Sequence, residues 1–289
     1  MTKYFQALPR LMKAFAKNPV TFVNSVNGVS SSCDARNFAK SLSNSVKGDS
    51  NSELSAENPL WSYFQNHKEG RGIWKWEHYF DVYHRHFARF IGEKVNVLEI
   101  GIYSGGSLEM WRSYFGDKCH VFGVDIENAC KVYENSDISI SIGDQSDRSF
   151  WTTFKNGTDG IDILIDDGGH GLEHQQITLE EMLPYIRPGG VYLCEDVHGR
   201  FNRFAAFAAG LVSELNDINF FRPGDSSVSE FQSIAHSIHF YPYVVVIEKH
   251  RVPPAALRAI RHGTEWQPFL GNHWVVTPEL QIKIGRAHV

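Results

Sequence analysis

Two pairs of adjacent carboxylates stand near the ends of apolar segments in this chain of 289 residues. Asp166 and Asp167 end the segment GIDILIDD, and Glu195 and Asp196 follow the segment VYLC. Like charges this close repel one another and are costly to desolvate, so a cation, a bound ligand or water must compensate them. The carboxyl ends of neighbouring parallel strands meet at one rim of a sheet. Carboxylates gathered there favour a hard ion, Mg²⁺ before Mn²⁺ or Ca²⁺, with solvated strand ends as the alternative.

A histidine lies close to the first acidic pair. His170 follows Asp167 by three residues, beyond two glycines that give the backbone freedom. An imidazole can accept a proton near neutral pH, and beside a metal that acidifies a substrate hydroxyl it would act as a general base. His174 is a rival, but it falls in a segment with helical character, and His198 follows the second acidic pair. We therefore predict His170 as the catalytic residue.

A glycine-containing loop follows the first predicted strand, in the stretch VLEIGIYSGGSLEMW. Asp125, nineteen residues after Gly106, ends the second strand, where an acid can accept hydrogen bonds from ribose hydroxyls. Glu99 stands two residues before Gly101 and would repel a pyrophosphate, so the pattern favours a cationic donor, S-adenosylmethionine, over a dinucleotide. Asp144 and Gln145, after the third strand, either hold an adenine ring or cap a helix.

The alternation of strands and helices predicts the fold class. Strands are expected at 95–101, 120–126, 137–144, 160–167 and 191–197, with helices at 106–115, 172–186 and 201–216, a turn at 187–190 and one or two late strands within 237–250. Strands separated by helices at this spacing indicate an α/β protein of Rossmann-like class, with a mostly parallel sheet, helices on both faces and an antiparallel late strand.

The composition limits the location and the partners of the chain. The net charge of -5 is well mixed, which argues against nucleic-acid binding, and no run approaches the length of a membrane span. The four cysteines lie far apart, so we predict a reduced, cytoplasmic protein. We divide the chain into an N-terminal helix with a Ser/Asn-rich mobile arm (1–58), an aromatic-rich segment that packs on the core (59–94), the core domain (95–283) and a tail of non-native character (284–289).

Several motifs in order resemble a known enzyme family. LEIGIYSGGSLEMWRSYF, GVDI, GDQSD, DDGGH and RPGGVYLCEDVHG, with the upstream HKEGRGIWKWEHYFDVYHRHF, are similar to the metal-dependent class I O-methyltransferases that tailor the sugars of macrolides and aminocoumarins. The macrocin, mycinamicin and novobiocin methyltransferases represent this family, and the resemblance covers about residues 67–250. His84 stands where some relatives carry an acid, which is a departure from the family's pattern in that segment.

The resemblance implies a role for each candidate residue. It implies that Mg²⁺ is bound by Asp167, Glu195 and Asp196, and that His170 removes the proton of the hydroxyl. It implies donor contacts from Glu99, Gly101, Ser107, Asp125 and Asp144, to which we add Tyr103, Gly105, Gln145 and Asp166.

We predict a Mg²⁺- and S-adenosylmethionine-dependent methyltransferase whose partner is a small-molecule or glycan hydroxyl acceptor, and we leave homo-oligomerisation open. The alternatives are a tailoring protein similar to cephalosporin hydroxylases and a non-catalytic protein that binds the donor or a sugar. Aromatic residues of the upstream segment are expected either to wall a sugar site or to pack against the sheet. They are Trp74, Trp76, Tyr79 and Tyr83.

Overall fold

The computed structural model describes residues 8–42, 58–198, 202–217, 219–222, 225–258, 260 and 262–263. The chain forms two compact units, residues 1–53 and 54–289. The predicted tail lies outside the described residues. No helix in the described part of the chain is long and apolar enough to cross a bilayer. All four cysteines are free thiols, as the sequence predicts.

The first unit consists of two helices, α1 (Leu8–Lys17) and α2 (Pro19–Ser41). The Asn18 side chain caps α2 by accepting a hydrogen bond from the Thr21 amide at 3.0 Å. The structure differs from the prediction of a mobile arm beginning at residue 24, because the helix continues to Ser41. Serine hydroxyls can bond to carbonyls one turn back, as Ser25 does to Thr21, so the Ser-rich composition does not end the helix.

The second unit is built on a seven-stranded sheet in the order β3-β2-β1-β4-β5-β9-β8. Its strands are β1 (Val95–Ile100), β2 (Cys119–Asp125), β3 (Ile138–Ile142), β4 (Ile161–Asp166), β5 (Ile186–Cys194), β8 (Ala235–Tyr241) and β9 (Val244–Lys249). The first five strands run parallel, and β9 pairs antiparallel with both β5 and β8. A separate three-stranded sheet has the order β10-β7-β6 and contains β6 (Asn219–Arg222), β7 (Asp225–Ser227) and β10 (Ala256–Arg258).

Helices cover both faces of the large sheet. The helices of this unit are α3 (Pro59–Asn66), α4 (Tyr79–Phe87), α5 (Gly106–Phe115), α6 (Arg148–Asn156), α7 (Leu172–Met182), α8 (Phe204–Leu215) and α9 (Glu230–Ile234). One core cluster joins Val97 of β1 to Tyr83 and Trp111, and the other joins Leu98 to Trp151. Consecutive residues of β1 therefore face opposite clusters, which explains why the central strands carry apolar residues on both faces.

Strand β5 begins earlier than the sequence predicted. The Ile161–Ile186 and Ile163–Val191 pairs match two residues along β4 to five along β5, so the Arg-Pro-Gly-Gly segment bulges from within the strand. Gly189, with φ +80°, donates a hydrogen bond to the carbonyl of His250 at 2.9 Å. The predicted turn at 187–190 is thus a bulge in the strand, and α7 correspondingly ends at Met182 instead of residue 186.

A buried polar contact connects α4 to β9. His86 Nδ1 lies 2.8 Å from Glu248 Oε1, and its Nε2 lies 3.0 Å from the Tyr241 hydroxyl. Arg89 donates to the same Glu248 oxygen at 3.0 Å. Hydrogen bonds from His86 and Arg89 lower the pKa of Glu248 to about 2. This contact anchors the helix whose other residues reach the candidate site.

The lowered pKa of Glu248 predicts how the stability of the fold depends on pH. A folded-state pKa below the unfolded value stabilises the fold above about pH 4.5, and this stabilisation is lost as pH falls towards 2. We expect Glu248→Gln to lower the free energy of unfolding at pH 7 by about 2 kcal/mol, with the difference from the parent shrinking below pH 4.5. Urea unfolding at several pH values measures this, and the exposed Glu93→Gln is the control. A difference independent of pH would contradict the assignment.

Candidate active site

The carboxyl ends of β1, β4 and β5 bring the predicted acids together. Asp166 pairs with Ile100 of β1 on one side and with Cys194 of β5 on the other. The Asp167 amide then bonds to the Ile100 carbonyl at 3.0 Å, and the Glu195 amide bonds to the Asp166 carbonyl at 2.9 Å. The strand order reverses between β1 and β4, so the acids lie at the topological switch point, where open α/β sheets bind ligands.

A lysine from the segment before the core is buried among these acids. The Lys75 ammonium lies 2.6 Å from Asp167 Oδ2, 3.0 Å from Glu195 Oε2 and 3.5 Å from Glu99 Oε1. Burial alone would lower the pKa of Lys75, but the neighbouring carboxylates raise it well above its ordinary value. The sequence analysis missed this residue. The need of adjacent buried acids for a cation was a signal in the sequence, but no local pattern marks Lys75 as that cation.

Glu99 and Glu195 are both buried acids with specific partners. Glu99 Oε2 accepts a hydrogen bond from the Ser107 hydroxyl at 2.7 Å, while its Oε1 has no hydrogen-bond partner among the described residues. Glu195 Oε1 accepts from the buried Tyr83 hydroxyl at 2.6 Å. Burial raises the pKa of both carboxyls, and Lys75 opposes this shift. Tyr83 is therefore a buried hydrogen-bond donor to Glu195 and does not line a sugar-binding site.

Asp196 is held in a rare backbone conformation beside the candidate base. Its φ is +52°, a left-handed value that is uncommon outside glycine. The Tyr79 hydroxyl and the Trp76 indole donate to its Oδ1 at 2.7 and 3.2 Å. Its Oδ2 lies 3.6 Å from His170 Nε2. The potential ligand atoms of Asp167, His170 and Asp196 all lie within 4.8 Å of one another.

The other histidines differ in their surroundings. His170 is exposed, whereas His174 packs against the Gly169–Gly171 loop with its Nδ1 buried. His84 bonds to the Tyr114 hydroxyl at 2.8 Å and does not join the acids. His198 stacks edge-on against Tyr243 and lines the same cavity as His170. The geometry thus places His170, and not His174, beside Asp196.

Two cavities adjoin at this rim. One, of about 600 Å³, is lined by side chains that include Trp74, Trp76, Tyr79, His170 and Asp196, and we call it the aromatic cavity. The other, of about 650 Å³, is lined by side chains that include Asp125, Cys130, Asp144, Gln145 and His174, and we call it the loop cavity. Gly101, Tyr103 and Asp167 line both. Both volumes suit a small-molecule ligand.

Most of the residues predicted to bind the methyl donor line one of the two cavities, but three do not. Ser107 lines the aromatic cavity. Glu99 and Gly105 line neither cavity, and Gly105, with φ +76°, lies against the Tyr133 ring. Asp166 also lines neither cavity, because its buried carboxylate accepts hydrogen bonds from Gln145 at 2.9 Å and Tyr192 at 3.3 Å. Burial raises the pKa of Asp166 to about 7.

The loop-cavity acids also hold the loops around them. Asp125 Oδ2 accepts from the amides of Ile102 and Tyr103 at 2.8 and 3.2 Å, which fixes the loop after β1. Asp144 Oδ1 accepts from the Ser146 amide at 2.7 Å. The N-cap of α6 is Asp147, so Asp144 does not cap this helix. Gln145 Oε1 accepts from the Gly169 amide at 2.5 Å.

The strand order, with β9 antiparallel and the acids at the switch point, defines a Rossmann-like methyltransferase fold. The fold class predicted from the sequence is confirmed. No protein-family profile matches the chain.

The predicted resemblance is also confirmed by sequence relatives. The chain is 32% identical over 213 residues to demethylmacrocin O-methyltransferase of Streptomyces fradiae, and this match covers 66% of the chain and 52% of that enzyme. It is 38% identical over 176 residues to a rhamnosyl-tetracenomycin 3'-O-methyltransferase of Streptomyces olivaceus. That match covers 58% of the chain and 42% of the enzyme. The chain spans about half the length of the curated relatives it matches.

A solved structure agrees with these relatives. The mycinamycin-pathway methyltransferase MycE, in complex with Mg, SAH and mycinamycin VI, superimposes with a TM-score of 0.55 at 26% identity. The match covers 67% of this chain and 53% of MycE.

Gly101 is a position where the structure allows no side chain. Its φ is +88°, and a Cβ would lie 2.1 Å from the Asp167 carbonyl oxygen. We expect Gly101→Ala to lower the free energy of unfolding by about 1–3 kcal/mol, because the strained loop must move away from Asp167. The control is Gly210→Ala in α8, where nothing lies within 4 Å of the added carbon. Chemical denaturation compares the two variants, and equal effects would contradict the close packing of the loop.

Proposed function

We propose that the chain is an S-adenosylmethionine- and Mg²⁺-dependent O-methyltransferase that acts on a sugar hydroxyl of a glycosylated natural product. The observation that carries the proposal is the meeting of Asp167, His170 and Asp196 in the aromatic cavity, next to the loop cavity that Asp167 also lines. The named activities of the relatives support the reaction class.

The residues present fit a hard divalent ion. Asp167 and Asp196 offer carboxylate oxygens, and the cluster of possible ligand atoms that they form with His170 contains no thiolate. The side chains of Asp167 and Asp196 are 22% and 23% exposed, so an ion can reach them from the aromatic cavity. When bound there, Mg²⁺ would act as a Lewis acid that lowers the pKa of an acceptor hydroxyl.

The residues also fit a cationic methyl donor. Gly101, Tyr103 and Asp167 line both cavities, so a donor lying along them would reach from the loop cavity to the reacting hydroxyl. Asp125 and Asp144 present acids in the loop cavity, where a nucleoside needs acceptors for its hydroxyl and amino groups.

The chain's own groups then account for the transfer. His170 accepts the proton of the acceptor hydroxyl, and the nearby Asp196 carboxylate stabilises the resulting imidazolium. The acceptor oxygen forms a bond to the methyl carbon while the carbon–sulfur bond breaks, and the sulfur keeps the electron pair. The cavities hold the two reactants against each other, and such positioning supplies up to about 7–11 kcal/mol in favourable cases.

The proposal is tested by binding and by turnover. We expect calorimetry to detect S-adenosylmethionine binding and no NAD⁺ binding. We expect Mg²⁺-dependent release of S-adenosylhomocysteine with rhamnosyl or deoxysugar glycosides that carry free hydroxyls. Donor binding without turnover on any glycoside would favour the non-catalytic binding protein, and NAD⁺ binding alone would overturn the proposal.

The role of His170 is tested by substitution. We expect His170→Ala to lower kcat about 10²- to 10⁴-fold, because proton removal from the hydroxyl is lost. The affinity for S-adenosylmethionine should stay unchanged in calorimetry, since His170 lines only the aromatic cavity of the two. His236→Ala is the control, because His236 is exposed on β8 and lines neither cavity, and this variant should keep the turnover. Full activity of His170→Ala would show that another group is the base.

Exposed aromatic rings support a proposal for the acceptor site. Trp74 is 87% exposed, Tyr103 76% and Trp76 51%, and all three line the aromatic cavity. Large apolar surfaces left open beside a polar site usually mark ligand contacts. We therefore place the sugar and its aglycone against these rings. Tyr79 also lines this cavity but is buried and bonded to Asp196.

The acceptor contact at Trp74 gives a kinetic prediction. We expect Trp74→Ala to raise the acceptor KM about 3- to 10-fold with little change in kcat, because stacking energy is lost equally in the bound and transition states. Steady-state kinetics with a glycoside acceptor measures this. Val252→Ala, equally exposed but outside the cavity, is the control. An unchanged KM would place the acceptor elsewhere.

A further inference from the structure

The turn between β8 and β9 holds a tyrosine in a backbone conformation that glycine usually adopts. Pro242 and Tyr243 form this two-residue turn, which is closed by the pairing of Tyr241 with Val244. The φ of Tyr243 is +64°, and hairpin turns with a positive φ commonly carry glycine or asparagine at that position. A residue with a Cβ costs free energy in this left-handed region. The turn therefore keeps an aromatic ring where the backbone alone favours glycine.

The Tyr243 ring contacts two side chains that line the aromatic cavity. Its centroid lies 5.4 Å from the Trp76 ring and 4.8 Å from the His198 ring, at interplanar angles of 50° and 70°. These separations are in the range of favourable aromatic pairs. Trp76 and His198 both line the aromatic cavity, whereas Tyr243 does not. Any effect of the Tyr243 ring on a ligand in this cavity therefore passes through its neighbours.

The backbone of the same turn is bonded to both segments that carry these rings. The amide of Val197, in the segment after β5, donates a hydrogen bond to the Tyr243 carbonyl at 2.9 Å. His78 Nε2, two residues after Trp76 in the chain, lies 2.9 Å from the Pro242 carbonyl oxygen. The turn thus connects the segment before α4 to the segment after β5, and its own position is fixed by both.

We propose that Tyr243 is a positioning residue for the acceptor, whose ring holds the Trp76 indole in the orientation that the acceptor meets. This inference rests on the proposed function, because it concerns the acceptor site of that function. Trp76 is 51% exposed, so the fold alone leaves its side chain with rotational freedom. Its Nε1 donates to Asp196 Oδ1 at 3.2 Å, and the contact with Tyr243 adds a second constraint on the indole. A wall that is ordered before binding loses less conformational entropy when the acceptor arrives.

Removal of the ring tests the proposal through the difference between the two substrates. We expect Tyr243→Gly to raise the KM for a rhamnosyl glycoside about 3- to 10-fold, because Trp76 must then be ordered during binding. The KM for S-adenosylmethionine should stay unchanged, since neither Tyr243 nor Trp76 lines the loop cavity. The melting temperature should stay close to that of the parent, because glycine adopts this φ without strain and so offsets the lost ring contacts. Steady-state kinetics and thermal unfolding measure these quantities.

Two further variants serve as controls. Tyr243→Phe keeps the ring and should keep the acceptor KM of the parent. Phe240→Ala removes a ring of similar exposure from β8, outside both cavities, and should leave both KM values unchanged. If Tyr243→Gly is folded and its acceptor KM equals that of the parent, the inference is wrong. Should Tyr243→Gly not fold, Tyr243→Asn takes its place, because asparagine also tolerates a left-handed φ.

A double substitution shows whether Tyr243 acts through Trp76. In the Trp76→Ala background the ring that Tyr243 positions is gone, so Tyr243→Gly should raise the acceptor KM less than about twofold further. The same 3- to 10-fold increase in both backgrounds would overturn the positioning role, because Tyr243 would then act independently of Trp76. Absence of methyl transfer by the parent protein to any glycoside would instead overturn the proposed function, and the inference with it.

Discussion

The ion cluster around Lys75 is the interaction on which the rest of the site depends. Three strand ends deliver carboxylates to one rim, and in a poorly hydrated site their mutual repulsion would be severe. The Lys75 ammonium contacts Glu99, Asp167 and Glu195, one acid from the end of each strand. Because it comes from a segment outside the sheet, the same contact ties that segment to the core.

The segment before the core is therefore part of the site. It supplies Lys75 for the acids, Tyr83 for Glu195 and Tyr79 for Asp196. It also supplies the exposed tryptophans that line the aromatic cavity. The contact of His86 with Glu248 holds α4 on the sheet from its far end. An acceptor that binds to this segment thus lies against groups that the acids themselves hold in place.

Sequence reasoning reached the parts of the molecule that follow from local patterns. An apolar run that stops at a glycine located β1, and apolar runs that stop at acids located β4 and the end of β5. Helical spacing located α5 with its buried Trp111. The loop glycine Gly101 and the acid Asp125 also lie where the pattern indicated. These features depend on neighbours in the chain, so periodicity and spacing are enough to find them.

The remaining features depend on contacts between distant residues. Lys75 meets Glu195 across 120 positions, and nothing in the residues beside Lys75 indicates such a partner. Asp166 was expected to contact the methyl donor, but its carboxylate accepts hydrogen bonds from Gln145 and Tyr192. Both partners lie more than 20 positions away in the sequence, so no local pattern indicates this orientation. The bulge in β5 likewise depends on its pairing with β4, which the Pro-Gly-Gly sequence alone does not specify.

The central proposal is that the acids at the carboxyl ends of β4 and β5 bind a divalent ion beside His170. A crystal structure of the protein with Mn²⁺ and S-adenosylhomocysteine, with anomalous diffraction to locate the metal, tests it most directly. The account predicts an anomalous peak at Asp167 and Asp196, next to the aromatic cavity. A structure with S-adenosylhomocysteine bound and no peak at this rim would contradict it.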